Sequence, residues 1–116
     1  MARGQWEQAV ELLSEILAAN PDRHDVRLNL GVALYNLGRF SEALEQFERL
    51  VAACPEMAEA WANLGAAANE LGHLARAEEA LLKAADLNQR LRDLHLNIAL
   101  LRLKQRRLAE AIAELE

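Results

Sequence analysis

Threonine is absent from this sequence; cysteine and tyrosine occur once each, and serine twice. So little hydroxyl and thiol leaves few candidates for nucleophilic catalysis. Cys54 has no partner for an internal disulfide. No histidine stands close to it in sequence to activate it, so it reads as a small packing thiol. His24, His73 and His95 are far apart, and none has a cysteine at ligand spacing, so a bound metal is not expected. The few glycines form no phosphate-cradling loop. No apolar run reaches the length of a membrane span, and MARGQWEQAVELL lacks the layout of a signal peptide. Basic charge is also short: the net charge is −5, which argues against nucleic acid or an anionic membrane as partner. The expectation is a non-enzymatic, soluble chain without cofactor, cytoplasmic or periplasmic. Eleven arginines against two lysines suggest a GC-rich bacterial source.

What is present is a repeat. His24–Met57 reads HDVRLNLGVALYNLGRFSEALEQFERLVAACPEM. Moved forward by 34 residues it falls without gaps on Ala58–Leu91, AEAWANLGAAANELGHLARAEEALLKAADLNQRL, and moved again on Arg92–Glu116. Asn29, Asn63 and Asn97 coincide, as do Gly31, Gly65 and Ala99, and Ala43, Ala77 and Ala111. Pro21 and Pro55 stand 34 apart, and every glycine falls in the register. A fixed period of this length signals stacked supersecondary units. The chain therefore divides into a half-repeat (1–23), two full repeats (24–57 and 58–91) and a truncated one (92–116), forming a single domain.

Within each full repeat the apolar spacing is helical. Val26, Leu30, Ala33, Leu34 and Leu37 make one face of a first helix, and Ala43, Leu44, Phe47, Leu50 and Val51 one face of a second. Asp22 is a candidate N-cap, and Gly38 and Gly72 are candidate left-handed caps. Pro21 stops the first helix near Asn20. The expectation is seven helices near 5–19, 24–37, 41–53, 58–71, 75–87, 92–105 and 108–116, with no strand. The last repeat departs from the plan. Gln89 replaces the proline, Ala99 the mid-helix glycine, and Arg106 the capping glycine, so the turn there is either strained by about 1 kcal/mol or altered.

The register of Trp61, Leu64, Gly65, Gly72, Ala77 and Ala84, with Leu30, Gly31, Ala43, Phe47 and Pro55 in the neighbouring repeat, resembles the tetratricopeptide repeat family over essentially the whole chain. The resemblance implies an all-α, right-handed superhelix of antiparallel helix pairs, whose first helices line a concave groove. The groove positions it implies include Asp25, Leu28, Asn29, Tyr35, Glu59, Asn63, Asp93, Leu96, Asn97 and Leu100. Family members that clamp chaperone tails do so with groove cations. Asp25, Glu59 and Asp93 with Leu28 and Leu96 stand there instead, so that use is not expected.

The expected function is a protein-interaction scaffold that takes a partner segment or surface in the groove, with apolar or basic segments favoured. The asparagine row resembles the ladder with which superhelical members hold a peptide main chain; asparagine there also serves as framework. Leu96, Leu100 and Leu103 lie off the core side of their helix, and an exposed apolar patch marks an interaction site. Uncapped ends favour self-association. Two alternatives remain. One is a spacer within a long array of a bacterial envelope or exopolysaccharide-export protein of alginate, cellulose or Pel type. The other is the regulatory half of a larger enzyme or transcription factor.

Overall fold

The structure, a computed structural model, describes residues 2–115. They form six helices: α1 (Arg3–Ala19), α2 (His24–Asn36), α3 (Phe40–Ala53), α4 (Ala58–Glu70), α5 (Leu74–Leu87) and α6 (Leu94–Leu115). There is no strand among the described residues. Each helix packs on its neighbours in sequence, and α4 also touches α2 and α6. This is the helix-pair layering of an α-solenoid.

Two hairpins, α2–α3 and α4–α5, carry the repeat. Each first helix ends in a Schellman motif, in which a left-handed residue lets the next two amides reach back to the last carbonyls. Gly38 and Gly72 both sit at φ 77°. The amide of Arg39 donates to Leu34 O at 2.9 Å and that of Gly38 to Tyr35 O at 2.9 Å; His73 to Ala68 O and Gly72 to Asn69 O repeat the pattern. The chain reverses within three residues and the second helix begins. Inside each hairpin the mid-helix glycine admits the largest side chain of the facing helix. A Cβ on Gly31 would lie 2.8 Å from Phe47 Cζ, and one on Gly65 would lie 2.6 Å from Leu81 Cγ. Phe47 and Leu81 are accordingly buried, along with Leu50, Leu64, Leu94 and Leu101.

Three expectations are corrected. The segments 92–105 and 108–116 are not two helices: α6 runs unbroken from Leu94 to Leu115 (residue 116 lies outside the described residues). Arg106 replaces the glycine that would reverse the chain, and holding an L-residue left-handed costs roughly 1–2 kcal/mol. Lys104, Gln105, Arg106 and Arg107 are all strong helix formers, and Arg106 pairs with Glu110 one turn on at 3.0 Å. The consequence is large. Leu115 holds the register position of Phe47 and Leu81, yet it is 88% exposed, and Leu108 and Ile112 are exposed with it. Second, α6 starts at Leu94 rather than near 92, after a linker in which Asp93 takes φ 62°. Without the proline of the earlier linkers, this connection is built differently. Third, Asp22 does not cap α2: Arg23 is the residue before the helix, with no side-chain cap.

Candidate functional site

Where the first helices of successive repeats line up, they enclose a hollow of about 460 Å³. Helix α2 supplies Val32 and Tyr35; α4 supplies Glu59, Ala62, Asn63 and Ala66; α6 supplies Leu96, Asn97 and Leu100; and the α5–α6 linker closes one side with Leu91, Arg92 and Asp93. The arrangement follows from the repeat. Positions separated by 34 residues sit at equivalent points on neighbouring helices, so Asn63 and Asn97 stand side by side, as do Ala62 and Leu96, and Ala66 and Leu100.

Of the ten groove positions named from the sequence, Tyr35, Glu59, Asn63, Asp93, Leu96, Asn97 and Leu100 line the hollow. Asp25, Leu28 and Asn29 do not. Leu28 packs against the core, half-buried, and Asn29 is exposed. Asp25 is taken up locally: Arg23 grips it with two hydrogen bonds, Nε to Oδ1 at 2.9 Å and Nη2 to Oδ2 at 2.8 Å. That pairing holds its carboxyl at a pKa of about 2.

The hollow is amphipathic. Leu96 and Leu100 are 56% and 42% exposed, large values for leucines on a concave wall. Tyr35 lies edge-on to Phe40, with ring centroids 5.1 Å apart. Burial, and then the nearby Glu70 carboxylate, raise its hydroxyl pKa, so it remains a neutral donor. The side chains of Asn36 and Asn88 hydrogen-bond to nearby backbone; those of Asn63 and Asn97 have no such partner among the described residues. Each amide thus presents a donor and an acceptor to whatever occupies the hollow.

The sequence reading missed the linker. No arginine was among the expected groove positions, yet Arg92 lines the hollow beside Asp93. The available signal was Gln89 in place of the repeat's proline, which marked the linker as different. Among the described residues no group of three His, Cys, Asp or Glu comes together to hold a metal, and no helix is long and apolar enough to cross a membrane.

Comparison with known proteins fits this geometry. The sequence profile of the tetratricopeptide repeat matches residues 1–58 and 33–90. No curated protein matches the chain. Among solved structures, MamA from Desulfovibrio magneticus RS-1 is similar with a TM-score of 0.81 at 25% identity, over 96% of this chain and 64% of that one. An ArsTM double mutant of MamA from strain RS-1 gives 0.81 at 26% identity, over 88% of this chain and 57% of that one. The chain therefore spans less than two thirds of the length of these relatives. The first tetratricopeptide domain of Spaghetti (RPAP3), bound to an HSP90 peptide, gives 0.80 at 22% identity, over 91% of this chain and 82% of that one. At that identity the likeness is one of fold.

Proposed function

We propose, since the chain belongs to the tetratricopeptide repeat family, that it is a protein-interaction scaffold whose concave hollow takes an extended partner segment. The observation that carries this reading is the hollow itself, which joins three successive first helices and presents unpaired amides beside exposed leucines. The fold relative bound to an HSP90 peptide supports a peptide as the class of ligand. Asn63 and Asn97 hold the partner's main chain, Leu96 and Leu100 cover an apolar side chain, and Glu59 and Asp93 attract a basic one. No catalytic role is assigned to any of these residues.

Magnitudes limit what the hollow does alone. Two asparagines contribute about 2 kcal/mol net. Covering the exposed parts of two leucines adds about 1–2 kcal/mol each. A micromolar complex needs about 8 kcal/mol, so ion pairs with Glu59 and Asp93, or contacts beyond this hollow, supply the rest. Calorimetric titration with a short peptide of alternating leucine and lysine tests the reading. Leu100→Glu is expected to weaken binding at least tenfold and leave the melting temperature nearly unchanged. The double change Asn63→Ala, Asn97→Ala should weaken it by up to about a hundredfold, two hydrogen bonds' worth. Equal or tighter binding of the corresponding leucine–glutamate peptide would overturn the assignment of Glu59 and Asp93.

A further inference from the structure

A second concavity, of about 330 Å³, lies among α1, α2 and α3 and shares no lining residue with the groove hollow. The repeat register shows why it is open. In the next interval the corresponding niche is filled by Trp61, whose Nε1 donates to Pro55 O at 2.7 Å and which packs against the buried core cluster that includes Ala80. Arg76 lies 5.6 Å above that ring and is neutralised by Glu48 and Glu79. Thirty-four residues earlier, Arg27 replaces Trp61, Ser14 replaces Glu48, Gln46 replaces Ala80 and Arg49 replaces Lys83. Arg27 makes the matching bond, Nη2 to Pro21 O at 3.3 Å, and a second from Nη1 to Gln46 Oε1 at 2.6 Å. The indole has become a guanidinium, the Glu48 carboxylate has become a hydroxyl, and the Arg76 it paired with has become Glu42, which Arg39 takes up instead.

Arg27 is half-buried and forms no ion pair among the described residues, whereas Arg49 is paired with Glu45. Burial, and then the charge of Arg49, lower the pKa of Arg27: the guanidinium is partly desolvated and has a like charge beside it. In a chain of net charge −5 such a spot is unusual. Desolvated arginines are stabilised by planar anions that accept two parallel N–H bonds.

We propose that this niche binds an oxyanion, a carboxylate or phosphate group, gripped by Arg27 and Arg49 with Ser14 and Gln46 completing the polar wall. Such a contact gives the α1–α3 end of the fold an acid-recognising site independent of the groove.

The test is an NMR titration of the 116-residue chain at low salt, following the side-chain N–H signals of arginine and glutamine. One arm adds inorganic phosphate; the other adds a short peptide with a free C-terminal carboxylate, against its amidated form. Saturable shifts confined to Arg27, Arg49 and Gln46, weakening as salt rises, are expected. Saturation by phosphate alone identifies a free anion as the source; response to the free-carboxylate peptide but not the amide identifies a chain terminus. Arg27→Trp places in the niche the residue that closes the next one and is expected to abolish the shifts. Arg27→Gln removes the charge without filling the space and should do the same, while Arg49→Gln should weaken binding about tenfold. Shifts of equal size at Arg76 and Arg102, shifts unchanged in both Arg27 variants, or no saturable shift at millimolar ligand would each overturn the proposal.

Discussion

At the scale of single residues, glycine does two different jobs here. Gly31 and Gly65 are needed for space. An added methyl group meets Phe47 or Leu81 inside ordinary contact distance, and overpacking of this kind costs about 1–3 kcal/mol. The gain in helix propensity from glycine to alanine, about 1 kcal/mol, offsets only part of that. Gly31→Ala and Gly65→Ala are therefore expected to destabilise by up to roughly 2 kcal/mol in urea unfolding. Gly38 and Gly72 have nothing within 4 Å of a new Cβ, but they sit at φ 77°; alanine there should cost about 1 kcal/mol through backbone strain alone. Unchanged stability in all four variants would refute the account. The glycine register was legible because both requirements are local and recur at a fixed interval. The grip of Arg23 on Asp25 was not, since it reaches from the last non-helical residue into the first turn of α2, where no helical spacing points to it. Its consequence is testable. The folded Asp25 carboxyl has its pKa lowered from 3.8 to about 2 by the Arg23 hydrogen bonds. A depressed carboxylate contributes stability that is present above its unfolded pKa and lost as pH falls through the folded one, here between about pH 4 and pH 2. The contribution is small because the pair is fully exposed to water. Carboxyl NMR should place the Asp25 midpoint near 2 in the wild type and near the ordinary value in Arg23→Gln; a midpoint unmoved by that change would exclude Arg23 as the cause.

At the scale of elements, the sequence carried two conflicting signals for α6, and the backbone obeyed one. Leu108, Ala111 and Leu115 match the register of a returning helix, which supported a hairpin. The lost glycine at Arg106 pointed the other way, and it prevailed because the apolar match pays off only after the chain has reversed. The other helix positions were readable to within a residue or two, since their apolar spacing and glycine caps agree. The late start of α6 was not readable, because nothing local fixes a linker that has lost its proline. Arg106→Gly restores the option of the turn. In the straight helix, labels at His95 and Glu114 stand about 29 Å apart, at 1.5 Å per residue. The variant is expected to add a population of much shorter distances in pulsed electron paramagnetic resonance, with Cys54 first replaced by alanine. A single long distance in both proteins would mean that glycine alone does not decide the turn.

At the scale of the whole molecule, the fold is long and thin. Its extents are 53 × 31 × 21 Å and its radius of gyration is 15.2 Å, against about 13 Å for a compact domain of this length. Such a shape leaves long apolar strips at the surface. Leu12 and Ile16 on α1 and Leu108, Ile112 and Leu115 on α6 are all exposed, so the chain is expected to self-associate as its concentration rises. Sedimentation velocity showing one monomeric species at millimolar concentration would count against this. The register brings the first helices to one face, and α2, α4 and α6 do line one hollow; the entry of Arg92 was not legible, because it depends on how the α5–α6 linker closes that hollow. The unbroken α6 has a further consequence, for cooperativity. From Arg106 onward every residue of that helix is exposed, so its last ten described residues are held by backbone hydrogen bonds and a surface ion pair alone. A helical stretch of that length without tertiary support is marginal in water. Amide hydrogens there should exchange through local fraying, orders of magnitude faster than those of Leu64 or Leu81, which open only with the core. Heat should therefore remove helix in two stages, the first with no loss of the packed hairpins.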